Sequence, residues 1–117
     1  GGHALRVTYW MYLMETETIY NGVLLNLYRD GRDSMGWHSD NEKELGLAPI
    51  VSSLSFGAER NFRIRSKREK GSSFSIALRN NSLFVMKPGC QDLYEHTLPK
   101  TLKSKGIRIN LTFRKLF

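Results

Sequence analysis

No stretch of this chain sustains a helical hydrophobic period. Short β-type runs recur instead, each closed by a turn signal, and this pattern restricts the chain to an all-β fold with at most a short helix before Asn21. The first strong strand is Val23 to Tyr28, and Ile50 to Phe56 is the second. Asn61 to Arg65 follows the turn-like Gly57-Ala58-Glu59-Arg60, so the second and third strands are expected to form a hairpin. Ser73 to Arg79 and Leu83 to Lys87 flank Asn80-Asn81, whose side chains tolerate the left-handed conformation, and a second hairpin is expected there. After the break at Pro88-Gly89, Leu93 to Leu98 and Ile107 to Phe113 complete the set. Many short antiparallel strands fit a sandwich, jelly roll or small barrel. Arg29 to Leu47 reads as a long loop with a short extended piece inside, and long loops in compact domains are usually functional. Lys67 to Ser72 and Pro99 to Lys105 are smaller polar loops. Gly1-Gly2-His3 resembles a processing remnant, so His3 is given no role.

A length of 117 residues suits one core. The longest apolar runs fall far short of the ~20 residues that cross a bilayer, no signal peptide opens the chain, and cytoplasmic residence without a membrane partner is the expectation. A single cysteine, Cys90, excludes an internal disulfide and a Cys-based zinc site, so any bound metal must use His and carboxylate. The net charge of +7 is unevenly spread: residues 1–59 carry four basic and eight acidic side chains, residues 60–117 fourteen and three. A polyanion suits that basic half, as does the plainer reading of a solvated basic surface.

His38-Ser39-Asp40 places an imidazole and a carboxylate two residues apart, on one face if the backbone is extended. His96 is the other internal histidine, on a later β-like segment, and completes a set of two histidines and one carboxylate. Such a set holds iron(II) on one face and leaves positions for a bidentate cosubstrate and dioxygen; zinc with water competes for the same ligands. In the last strand, alternation puts Arg108, Asn110, Thr112 and Arg114 on one face and Ile109, Leu111 and Phe113 on the other. Asn26 and Tyr28 share a face of the first strand, and together these donors suit a small dicarboxylate such as 2-oxoglutarate, because a guanidinium forks around a carboxylate. A surface strand with its polar face in water is the alternative.

Asn26-Leu27-Tyr28, His38-Ser39-Asp40-Asn41-Glu42, Ser53-Leu54-Ser55-Phe56-Gly57, His96 and the ending Arg108-Ile109-Asn110-Leu111-Thr112-Phe113-Arg114 together resemble the AlkB family of nucleic-acid dioxygenases. The resemblance runs from about Asn21 to the C-terminus. It implies a double-stranded β-helix, or jelly roll, with His38, Asp40 and His96 as iron(II) ligands. Arg108 would anchor the distal carboxylate of 2-oxoglutarate, helped by Asn26, Tyr28 and Asn110, and Arg114 would steady Asp40 and the chelating carboxylate. Glu42 would contact the exocyclic amine of a flipped base. The implied reaction consumes 2-oxoglutarate and dioxygen, hydroxylates the N-alkyl carbon of a base such as 1-methyladenine or 3-methylcytosine, and releases succinate, formaldehyde and the repaired base. The base must be flipped out or already single-stranded. Arg60, Arg63, Arg65, Lys67, Arg68 and Lys70 would grip phosphates of DNA or RNA, and Trp37 or Tyr94 would stack on a base.

Family members carry a longer N-terminal region that forms a nucleotide-recognition lid. Residues 1–20 are therefore expected to be the remnant of a shortened lid, residues 21–117 the jelly-roll core, and apolar surface left uncovered to promote self-association. Two rival readings share the fold: a dioxygenase acting on a substrate other than nucleic acid, and a jelly-roll binding module without turnover.

Overall fold

The computed structural model describes residues 3–13, 17–103 and 106–117. Two antiparallel sheets face each other. The larger has the order β1(His3–Leu13), β2(Thr18–Tyr28), β9(Arg108–Arg114), β4(Val51–Gly57), β7(Ser82–Met86), and the smaller β3(Met35–His38), β8(Tyr94–Leu98), β5(Arg60–Ser66), β6(Ser73–Leu78). A single turn of 3-10 helix at Lys43–Leu45 and one turn of α1 at Cys90–Leu93 complete it. The all-β jelly-roll expectation holds, and among the described residues no helix is long and apolar enough to cross a membrane.

The core sits between the sheets. Buried Tyr28, Leu78 and Leu98 pack with Met35, Phe62, Ile76 and Phe84, and the Phe62 and Phe84 rings meet across the gap at 5.5 Å. Each large apolar side chain buried in this way stabilises the fold by roughly 1.5–3 kcal/mol.

Three sequence expectations need correction. Neither expected hairpin exists. β4 pairs with β7 and β9, whereas β5 pairs with β6 and β8, so Gly57 to Arg60 carries the chain from one sheet to the other. Asn80-Asn81 carries it back, from β6 to β7. The two corners bind each other: Gly57 N–H donates to Asn80 Oδ1 at 2.9 Å and Asn81 N–H to the Ser55 carbonyl at 2.7 Å. Asn81 does adopt the left-handed conformation, with φ 61°, but in a corner between layers rather than a turn within one. Local turn chemistry is the same in both cases, and long-range pairing decides between them. The loop Lys67 to Ser72 instead closes the β5–β6 hairpin.

The short helix before Asn21 is also absent among the described residues, because His3–Leu13 and Thr18–Tyr28 are paired strands, with His3 opposite Leu27. The expected division after residue 20 therefore falls inside β2.

Candidate active site

β3 and β8 are antiparallel neighbours, and His38 lies directly opposite His96 in their register. Facing positions bring side chains within reach of each other, so two imidazoles 58 residues apart meet with Nε2 atoms 3.1 Å apart. The strand pairing shifts register between Met35 and His38, which lets both residues face inward although they are three apart. Asp40, just beyond the end of β3, points into the same cavity. One donor atom from each of His38, Asp40 and His96 lies within 4.8 Å of the others.

His38 Nδ1 stands 2.9 Å from the Gly36 carbonyl. A carbonyl can only accept, so Nδ1 carries a proton, and in the neutral form of the ring Nε2 is the nitrogen that offers a lone pair to the cavity. The His96 ring packs 4.9 Å from Phe62, and burial, reinforced by the charge of His38, lowers its pKa from 6.5 to about 4. Its imidazole is therefore neutral, as metal binding requires, over most of the accessible pH range. Burial raises the Asp40 carboxyl pKa, an effect opposed by the positive charges of His38 and Arg114.

The other end of this cavity, about 60 Å³ in volume, is built by β2 and β9, where Asn26 faces Asn110 and Tyr28 faces Arg108. Arg108 is 2% exposed. Its Nη2 donates to Ser55 Oγ at 3.0 Å, its guanidinium lies 5.2 Å from the Tyr28 ring centre, and its Nε has no partner among the described residues. Burial lowers its pKa, and burial likewise raises that of the Tyr28 hydroxyl. Asn110 is held by Ser53, which donates to its Oδ1 at 2.6 Å, and by Thr112, which accepts from its Nδ2 at 2.9 Å. Arg114 Nη1 is 3.4 Å from Glu42 Oε1 and 4.0 Å from Asp40 Oδ1, and its Nε is also without a partner among the described residues. Two buried guanidinium groups with orphaned N–H donors, beside two imidazoles and a carboxylate, fit a metal ion together with an anionic chelator.

Ser53 and Ser55 were given no role in the sequence reading. Their signal is hydroxyl side chains at alternate positions of β4, on the face opposite Ser52 and Leu54. Glu42 is exposed and paired with Arg114, and it lines a separate open groove with Leu45, Leu116 and Phe117 rather than the cavity itself.

The basic run divides. Arg60 is buried, with its guanidinium committed to the carbonyls of Asp30, Asp33 and Pro99 at 3.2, 2.9 and 2.8 Å, so it is not a phosphate contact. Parity in β5 carries the distinction: Arg60 shares a face with Phe62 and Ile64, Arg63 and Arg65 the opposite one. On that outer face Trp37, Arg63, Arg65, Lys67 and Lys70 line an open groove of about 420 Å³. Arg65 pairs with Glu95 at 2.6 Å and covers the Trp37 ring at 3.9 Å, which occupies a face that a base was expected to use. Lys67 Nζ donates to the Gln91 carbonyl at 2.7 Å. Arg68 and Lys70 are exposed, as is Tyr94.

The family described as the 2OG-Fe(II) oxygenase superfamily matches residues 12–114, and the chain belongs to it. Its relatives are of the AlkB type. The chain is 42% identical over 106 residues to the human alpha-ketoglutarate-dependent dioxygenase alkB homolog 3, covering 84% of this chain and 37% of that protein. It is 39% identical over 108 residues to the human DNA oxidative demethylase ALKBH2, covering 86% and 41%. It thus spans well under half the length of these relatives. The solved structure of OsALKBH1 shares the fold with a TM-score of 0.66 and 21% identity, over 82% of this chain and 50% of that one.

Proposed function

We propose that this chain is the core of an iron(II)- and 2-oxoglutarate-dependent dioxygenase that oxidatively dealkylates N-alkylated bases in nucleic acid. One observation carries the reading: the facing pair His38 and His96, with Asp40 beside it, shares a cavity with a buried Arg108 that has no carboxylate partner among the described residues. His38, Asp40 and His96 would hold the iron, and bound there with 2-oxoglutarate it supplies an oxidant that hydroxylates a carbon attached to a base nitrogen.

The remaining work falls to the chain itself. Arg108 takes the distal carboxylate of 2-oxoglutarate, with Tyr28, Asn26 and Asn110 fixing its orientation, because a desolvated guanidinium gains most from an anion that water cannot screen. Arg114, 4.0 Å from Asp40, favours the ionised form of that carboxyl against the effect of burial and faces the chelating end. The two sheets exclude water from the reacting carbon. The nucleotide must present its base single-stranded or flipped, with Glu42 beside Arg114 to meet it and the phosphates along the groove of Arg63, Arg65 and Lys70. The relatives' names support a nucleic-acid substrate.

Anaerobic addition of iron(II) and 2-oxoglutarate should produce a visible charge-transfer band that disappears in His38→Ala and Asp40→Ala. With air and methylated oligonucleotides, succinate and formaldehyde should form together. Succinate without formaldehyde moves the substrate outside nucleic acid, and no band at all returns the chain to a binding module.

Self-association has its own support. Leu5, Leu25, Leu111, Leu54 and Leu83 are successive cross-strand partners, and they form a row across the whole larger sheet on the face away from the cavity. Sedimentation as a monomer at high concentration counts against it.

A further inference from the structure

Asp40 lies outside any strand, so no ladder supplies a partner for its backbone N–H. That partner is a side chain. Gln91 Oε1 accepts from Asp40 N–H at 2.7 Å, from a residue 1% exposed. The amide orientation is fixed, because a backbone N–H can only donate and the atom facing it must be the oxygen. Gln91 Nε2 faces Met86 Sδ at 3.3 Å, a weak acceptor, so the geometry spends this buried amide's strong contact on Asp40.

Gln91 is itself anchored. It sits in α1, the turn that leads directly into β8 and His96. From the other side Lys67 clasps α1, with Nζ on the Gln91 carbonyl at 2.7 Å and its backbone N–H on the Leu93 carbonyl at 3.0 Å. A second tie runs from Ser39 Oγ to the Tyr94 carbonyl at 2.7 Å. Asp40, the ligand that no strand carries, is thereby tied to the same short segment that delivers His96.

We propose that Gln91 is a positioning residue for the metal centre: it fixes the backbone at Asp40, and so holds the carboxylate in register with the two imidazoles. The inference rests on His38, Asp40 and His96 binding a metal, and groups that orient metal ligands typically change affinity by about 10- to 100-fold when removed.

Manganese(II) binding by calorimetry, without turnover, is the test. Gln91→Met keeps the volume and removes the acceptor; Gln91→Glu keeps an acceptor in place. The expected result is an affinity about 10- to 100-fold weaker in Gln91→Met, largely restored in Gln91→Glu. Native affinity in Gln91→Met, or equal losses in both variants, overturns the proposal. If Gln91→Met does not fold, amide exchange in the native metal-free chain decides: an Asp40 amide as protected as the strand amides supports it, and one exchanging like an open loop overturns it. A native chain that binds no manganese overturns the metal reading itself, a result distinct from native binding that survives in Gln91→Met.

Discussion

Replacing Arg108 by methionine should separate what this residue does for the fold from what it does for the ligand. The guanidinium is almost fully buried, meets the hydroxyls of Ser55 and Tyr28, leaves Nε unpaired, and has no carboxylate at ion-pair distance among the described residues. A charge in that position costs stability when no anion is bound. Exchange of buried ionic groups for apolar ones of similar volume is often stabilising by about 1–4 kcal/mol. Arg108→Met should therefore unfold at a higher temperature than the native chain in the absence of ligand, by about 3–6 °C per kcal/mol for a domain of this size. Truncating one partner of a buried charged contact costs about 2–5 kcal/mol of binding, or about 30- to several-thousand-fold in the Kd for 2-oxoglutarate. The assays are thermal unfolding without ligand and calorimetric titration of 2-oxoglutarate into the manganese-loaded chain, with manganese affinity as the control. A variant less stable than native that still binds 2-oxoglutarate normally would refute the reasoning, because Arg108 would then be a structural residue. Parallel losses in metal and 2-oxoglutarate affinity would do so as well.

A pH experiment reads His96. Between about pH 6.5 and about pH 4 its imidazole is neutral when folded and protonated when unfolded, so its contribution to stability is complete above 6.5 and is lost as pH falls toward 4. Asp40, with its raised pKa, acts with the opposite sign, so the fall should emerge clearly in metal-free Asp40→Asn, and a flat profile there would count against a buried neutral His96. Gly57 has φ 91°, and a Cβ there would stand 2.2 Å from the Ile107 carbonyl oxygen, whereas Gly71 has φ 83° with nothing within 4 Å. Gly57→Ala should thus cost about 2–4 kcal/mol in denaturant unfolding and Gly71→Ala about 1; equal losses would show that strain alone, not the corner contact, matters. Replacing Arg63, Arg68 and Lys70 together by glutamine should reduce the salt slope of single-strand binding by up to about 2, at about 0.7 per phosphate contact, and an unchanged slope would move the strand to another surface.

The parts of the site that were legible in the sequence depend on parity within a strand, which holds whichever neighbour the strand pairs with. Arg108, Asn110, Thr112 and Arg114 share the inner face of β9, and Asn26 and Tyr28 that of β2, as alternation required. Pairing is a different kind of fact. Gly57 and Asn81 sit in turns whose chemistry suits a hairpin, and only distant partners, the Ile107 carbonyl and the Ser55 carbonyl, make them corners between sheets. Gln91 was illegible for the same reason, since a glutamine one residue into a short turn carries no local mark of the Asp40 amide it holds.

Arg60 and Arg108 show how far composition falls short of role. Both guanidinium groups lie near the Tyr28 ring, at 5.8 and 5.2 Å, and both are 2% exposed. Burial lowers the pKa of each. What separates them is the set of acceptors. Three main-chain carbonyls surround Arg60 and tie the loops at residues 30–33 and 99 to β5, so both of its Nη groups are engaged by the protein and, as in Arg108, Nε alone is unpaired among the described residues. Arg108 has only the neutral hydroxyls of Ser55 and Tyr28 among the described residues and opens on a cavity. A buried cation left so short of acceptors is unfavourable unless something anionic arrives. The same desolvation that makes Arg108 costly in the empty fold is what lets it bind a carboxylate tightly, so its ligand-free instability and its affinity have a single physical origin.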